Sequence, residues 1–323
     1  MSGDILDNDD PWMAAMRGGD FASAWRISDA VLRQRQAAGI DCSTWPRHLQ
    51  FIWNGQSFDG QRVLVRCYHG LGDTLQFVRL LAKLRARAAQ VTLWVQPSLI
   101  ELLRSVPGID TLLPLHDGTP QVDYDLDMEL MELPYALRVT ERDVQVESPY
   151  ITVPGGRRII KGRSMHVGIA WRAGEWDQRR SIPTPLLAPL QRLRNVRWYS
   201  LQYPYASLPF PADNLACGNI AQMAARIREL DLVISVDTMM AHLAGALGVP
   251  VWTLLPHNAD WRWFDHPTRT VWYPTMRLLR QPAPGAWPAI IEGVIEQLAM
   301  LSVMRPRFAE HCTHSAGCTV SSG

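Results

Sequence analysis

Short apolar runs alternate along this chain with longer amphipathic stretches. Val63–Cys67, Val91–Val95, Thr111–Leu115, Met165–Trp171, Trp198–Gln202, Leu232–Val236 and Val249–Leu255 are brief and rich in branched or aromatic residues, as strands buried on both faces of a parallel sheet are. Between them the apolar spacing lengthens to a helical period over Leu75–Ala88, Pro97–Val106, Met239–Leu247 and Trp287–Leu301. Asn219–Leu230 is amphipathic through Ile220, Met223, Ala224, Ile227 and Leu230. Strand, helix and strand in alternation predict an α/β protein. Ahead of the first strand, Trp12, Met13, Met16, Phe21, Ala24, Trp25 and Ile27 recur at near-helical spacing with Gly18-Gly19 as a break, which predicts two short helices. Pro154-Gly155-Gly156, followed by Arg157, Arg158, Lys161 and Arg163, is a change of composition in mid-chain that suits an interdomain linker. The expected organisation is a helical preface at 1–50, one α/β domain at 51–156, a second at 157–303 and a disordered tail at 304–323.

Composition narrows the function classes. A formal net charge of +1 offers no general attraction for nucleic acid or an anionic membrane. No apolar run approaches the roughly 20 residues of a membrane span, and the opening MSGDILDNDD is unlike a signal peptide. A cytoplasmic protein is therefore expected, at most touching the inner face of a membrane peripherally. Five cysteines, an odd number scattered along the chain, do not make a disulfide framework.

Two turns carry candidate chemistry. After the first strand, Gly70-Leu71-Gly72-Asp73-Thr74 leads into a helix; the glycines allow a tight turn and close approach to a ligand, and Asp73 stands near the helix N-terminus. The position three after Gly72 is Leu75, not the third glycine of a dinucleotide fingerprint. By itself Asp73 reads as a helix cap. Late in the chain, Asp237-Thr238 stand where a helix follows a buried strand, so that backbone N–H groups and a partial positive charge face the sheet's carboxyl edge, as suits a phosphate. An ordinary capped crossover helix fits the same residues. Arg179-Arg180-Ser181 close a polar loop at another strand end, where forked donors could meet a diphosphate. Asp123-Tyr124-Asp125-Leu126-Asp127 has D-x-D spacing but lies in or beside a strand, and is read as structural or acceptor-facing, not as a metal site. His311, Cys312, His314 and Cys318 in the tail match no zinc spacing and are assigned no site.

These residues also carry a resemblance. S-V-D-T-x-x-x-H-L-A-G-A-L-G-x-P-V-W from Ser235, followed by Pro256 and Asp260-Trp261-Arg262-Trp263, resembles the nucleotide-sugar site of glycosyltransferase family 9, which contains the ADP-heptose:lipopolysaccharide heptosyltransferases. The match is closest to the domain found behind tetratricopeptide repeats in bacteria, and GDFASAW near residue 20 is similar to the end of such a repeat. G-L-G-D-T, Arg180-Ser181-Ile182-Pro183 and W-Y-P-T-M-R-L from Trp272 extend the likeness to roughly residues 50–300, with Glu132 where the family has a serine and Tyr203 where it commonly has a charged residue. The resemblance implies a GT-B architecture, two Rossmann-like domains facing across a cleft. It implies an inverting, metal-independent transfer of a sugar, heptose-like or related, from a nucleotide diphosphate, ADP favoured, to a hydroxyl on a glycan, a lipid-linked glycan or a protein, with no cofactor. Asp73 would be the base, with Gly70 and Gly72 forming its turn, and Arg180, Ser181, Gln202, Asp237, Thr238, Met239 and His242 would hold the donor. Two other readings stay open: a non-catalytic nucleotide-sugar-binding module, and a nucleotide-sugar epimerase on the same fold, which would need a further acid/base set in the cleft.

Overall fold

The computed structural model describes residues 10–145, 148–154, 164–175 and 177–313, with side chains as far as residue 302. The linker residues 155–163, and His314 and Cys318 of the tail, lie outside the described residues.

Two all-parallel sheets form the frame. The first contains β1 (Arg62–Arg66), β2 (Gln90–Val95), β3 (Thr111–Pro114) and β4 (Leu126–Glu129) in the order β3-β2-β1-β4. The second contains β5 (Met165–Ala170), β6 (Val196–Ser200), β7 (Asp213–Asn214), β8 (Leu232–Val236), β9 (Val251–Leu255) and β10 (Met276–Arg280) in the order β10-β9-β8-β5-β6-β7. Every residue of β8 and β9 is buried, which explains why these strands read as unbroken apolar runs. In each sheet the order reverses beside the domain's first strand, β1 in one and β5 in the other, and such switch points open a crevice at the carboxyl edge.

Several expectations shift. The helix after β1 starts at Leu71, four residues earlier than its apolar pattern suggests, and continues through a 3₁₀ turn at Val78–Leu80 to Arg85. Gly72 and Asp73 are therefore inside its first turn and Gly70 is its cap. The closing helix runs Trp287–Thr313, into the stretch expected to be a disordered tail. Its buried residues Trp287, Ile290, Ile291, Val294 and Leu298 share a core with Leu187 and Leu190 of the second domain. The D-x-D residues are structural: Asp125 accepts from the Arg62 backbone N–H at 2.8 Å and pairs with its guanidinium at 2.7 Å, and Asp127 pairs with Arg66.

The preface does more than cover one domain. Its helices, Pro11–Arg17 and Phe21–Ala38, are capped by Asp10 and Asp20. Trp25 packs on Tyr135 of the first domain at 5.9 Å between ring centroids and donates its Nε1 to Val139 O at 2.8 Å. Phe21 meets Phe264 of the second domain at 6.2 Å, and Trp12 meets Trp261 edge-on at 5.3 Å. Met16, Phe21, Ala24 and Trp25 thus belong to one hydrophobic cluster that runs through both domains. Glu132 secures the segment that follows: its half-buried carboxylate accepts the N–H groups of Ile52, Trp53 and Glu129 at 2.9–3.1 Å. Burial outweighs those bonds and pushes its pKa up to about 7. The residue that departs from the family's serine faces inward, as a clasp on the segment between the preface and β1.

Trp25→Ala should lose ~3–5 kcal/mol of unfolding free energy in urea titration, the range for emptying a buried aromatic site. A loss below ~1 kcal/mol would mean that the preface is an appendage.

Candidate active site

The helix start expected at Asp237-Thr238 forms as read. Thr238 is extended at φ −148°, ψ 174° and caps helix Met239–Ala246, its hydroxyl accepting from Met240 N at 3.3 Å and lying 3.1 Å from Ser235 Oγ. Asp237 is buried, and burial raises its pKa to about 6 against the opposing pull of Arg180. Arg180 Nη1 donates to Asp237 O at 2.9 Å and sits 3.7 Å from its Oδ2, so the loop after β5 is tied to the turn after β8. Ser181 Oγ accepts from Ala173 N at 2.9 Å inside that loop. Gln202 Oε1 accepts from Trp171 N at 3.2 Å and Arg172 N at 2.9 Å, which shapes the loop from behind. The structure thus brings Arg180, Asp237, Thr238 and Met239 together, while Ser181 and Gln202 serve the loop that carries Arg180.

The glycine turn arrives at the same place from the other domain. Helix Leu71–Phe77 packs directly on helix Met239–Ala246. A Cβ at Gly72 would come within 2.9 Å of His242 Cδ2 and 3.5 Å of Met239 Cα, so only glycine permits this approach without displacement. His242 is buried, its Nδ1 2.9 Å from Tyr273 OH and its ring stacked on Trp263 at 5.2 Å. Burial, aided by Arg262, Arg79 and Arg180, lowers its pKa to about 3, so His242 is neutral and holds the interface together.

Asp73 is engaged on both oxygens. Oδ2 accepts from Gly70 N at 3.0 Å, and Oδ1 lies 2.7 Å from Nη2 of Arg262, which comes from the second domain. Arg262 Nη1 meets Asp260 Oδ1 at 2.8 Å. Beside this pair, His69 Nδ1 lies 3.0 Å from Oε1 of the buried Glu129, which also accepts from Tyr68 N at 3.1 Å. Burial works against the imidazolium, but the bond to Glu129 and its charge raise the His69 pKa on balance, with Asp73 adding to the rise.

Arg262, Asp260, His69 and Glu129 are the site residues that sequence reasoning missed. Asp260 and Arg262 fell within the resembling segment, and His69 adjoins the glycine turn; the signal was proximity to a motif. A cavity of about 330 Å³ opens beside the loop that carries Arg180, lined by Arg179, Ser181, Pro256, His257, Gln281 and Trp287 among others. It stands over the strand ends on either side of β8 and includes neither Asp73 nor Thr238. Among the described residues no three His, Cys, Asp or Glu side chains converge as metal ligands, and no helix is long and apolar enough to cross a membrane.

Comparison with known proteins comes after this geometry. Residues 207–262 match the family described as glycosyltransferase family 9 (heptosyltransferase). The ADP-heptose LPS heptosyltransferase II of E. coli is 14% identical, with 74% of this chain and 99% of that one covered at a TM-score of 0.50. The iron-containing dodecameric glycosyltransferase TibC of enterotoxigenic E. coli H10407 is 15% identical, with 76% and 78% covered at 0.52. Among curated proteins, none matches the sequence. The two structures share the fold of this chain, two Rossmann-like domains in the GT-B arrangement.

His242 yields a pH test. Its pKa is depressed below the unfolded value of 6.5, so in the window from 6.5 down to about 3 the unfolded chain binds a proton that the native chain refuses, and stability falls as pH falls. Glu132 and Asp237, raised above their unfolded values, act in the opposite sense as pH rises through 4–7. Taking the difference in unfolding free energy between wild type and His242→Phe removes their contribution. That difference should move in favour of the variant as pH drops from 7 to 5; a pH-independent difference would contradict a buried neutral His242.

Proposed function

We infer that this chain, which belongs to glycosyltransferase family 9 by its match over residues 207–262, moves a sugar from a nucleotide-diphosphate donor to an acceptor hydroxyl with inversion and without a metal. The observation that carries the reading is the meeting of the two turns: the Gly70–Asp73 turn of one domain against the Thr238–Met239 helix start of the other. A diphosphate at that helix start would receive backbone N–H bonds and the positive end of the helix, with the Arg180 guanidinium beside it. The cavity flanking the end of β8 has room for the nucleoside half. Leaving-group charge would then develop where donors already point.

Asp73 supplies the remaining part. Across the glycine contact its carboxylate would face the sugar end of a donor held this way, and an acceptor hydroxyl reaching it would lose its proton as the anomeric carbon is attacked from the opposite face. An ADP-sugar, heptose-like, is the favoured donor, and a glycan, lipid-linked glycan or protein the acceptor. No separate cofactor is required. The protein would work in the cytoplasm, at most touching the inner membrane face.

The donor is identified by thermal shift against ADP-, GDP-, UDP- and CMP-sugars in EDTA. ADP-sugars should raise Tm without divalent metal; stabilisation only with magnesium or manganese would overturn the metal-independent reading. Arg180→Ala should weaken ADP by ~1.5–3 kcal/mol, the value of a charged hydrogen bond, while leaving adenosine affinity unchanged; equal weakening of both ligands would deny it a diphosphate role. Asp73→Asn can still accept from Gly70 N but cannot take a proton, so it should keep donor affinity and lose turnover ~100-fold or more. A stable Asn variant with wild-type turnover would remove Asp73 from the chemistry.

A further inference from the structure

Arg262 stands out among the groups that this reading leaves without a task. It is a charged side chain only 15% exposed, and it reaches out of its own domain to touch the carboxylate proposed as base in the other. Burying a guanidinium is costly unless it is paired, and the fold has built a holder for the two terminal nitrogens of this one, while its Nε is buried without a hydrogen-bond partner. Asp260 caps the turn Trp261–Trp263 by accepting Arg262 N at 3.0 Å and takes Arg262 Nη1 at 2.8 Å with the same oxygen, so backbone and side chain are fixed to one anchor. The guanidinium lies 4.9 Å from the Trp261 ring centroid and 5.9 Å from that of Phe77, one ring from each domain. The chain leaves the turn through Phe264 at φ 53°, a conformation uncommon outside glycine. It is kept there by Phe264 N donating to Trp261 O at 3.1 Å and by Arg280 Nη2 donating to Trp263 O at 2.7 Å. Only Nη2 of this fixed fork reaches across to Asp73.

We propose that Arg262 is a positioning residue that sets the orientation of the Asp73 carboxylate, so that the base is completed only by the second domain. The inference rests on the reading of Asp73 given above. A carboxylate at the start of a helix can turn about its Cβ–Cγ bond and offer either oxygen to the backbone. Here Gly70 N occupies Oδ2 and Arg262 Nη2 occupies Oδ1, which fixes the plane and leaves each oxygen one further lone pair. The carboxylate is 25% exposed, so those lone pairs have an open side to meet an acceptor. A salt bridge that served stability alone would need no holder of this kind. Lysine could supply the charge, but only a planar fork anchored through one nitrogen can place the other.

The experiment uses the full chain, ADP-heptose as donor and water as acceptor, with ADP release as the rate. Arg262→Lys should lower kcat ~10- to 100-fold, the scale of an ångström-sized misplacement, with the KM for ADP-heptose within about twofold of wild type and Tm little changed. Asp260→Asn, which loosens the holder without touching Asp73, should lower kcat in the same direction by a smaller factor. Addition of methylguanidine to Arg262→Ala should recover part of the lost rate, which a merely structural arginine would not allow. In the Asp73→Asn background Arg262→Lys should cost nothing further, because the residue acts through Asp73. Unchanged kcat in Arg262→Lys, or an equal further loss in the double variant, overturns the proposal. No ADP release by wild type, or full activity in Asp73→Asn alone, instead removes the base reading on which it stands.

Discussion

The structure depends on the contact between two short helices from different domains, Leu71–Phe77 and Met239–Ala246. Both start at the carboxyl edge of a parallel sheet, and each brings its chemistry in its first turn. Their approach is limited by Gly72 on one side and by His242 on the other. Because His242 is neutral and stacked on Trp263, the side chain that meets Gly72 brings no charge to the contact. Arg79 makes a second stitch one turn further along. Its guanidinium donates to Trp272 O and to Tyr150 OH, and lies over the Tyr273 ring at 4.5 Å.

Around that contact the electrostatics are organised as opposed pairs. Arg180 faces Asp237, Arg262 lies between Asp260 and Asp73, and His69 faces Glu129. Arg180–Asp237 and His69–Glu129 join neighbouring segments of one domain, Arg262–Asp73 joins the two domains, and Asp260–Arg262 closes within one turn. The consequence is a polar rim that is rigid before any ligand arrives, which limits the reorganisation left to the reaction.

The strands were legible because residues buried on both faces leave uninterrupted apolar runs, and Leu232–Val236 was bounded to the residue. The helix start at Thr238 was legible because a cap residue between strand and helix has a local cause. The start at Leu71 was not, since Gly72 in a first turn looks like a helix breaker until the side chain it makes room for, His242, comes into view. Tyr203, flagged as a departure, is 61% exposed, on the side of the sheet away from β8 to β10. Arg262 and Glu129 could not be assigned from spacing, because their partners are far away in sequence: Asp73 for one, His69 and Tyr68 for the other. Glu132 appeared only as a departure from the family's serine, whereas its partners Ile52 and Trp53 belong to the segment that leads into β1. Local causes were visible and long-range ones were not.

The preface bears on how the chain folds. Phe21 and Trp12 reach their partners Phe264 and Trp261 only after the first domain and most of the second have been made, and Trp25 waits for Tyr135 and Val139. During synthesis these two helices therefore emerge carrying large aromatic side chains, Trp12, Phe21 and Trp25, whose partners are not yet made. Contacts of such sequence separation close slowly and leave sticky intermediates in the meantime. Yield of soluble protein should then be governed by the preface, and slowing translation or supplying a holdase chaperone should matter more for this chain than for one whose preface folds on its own.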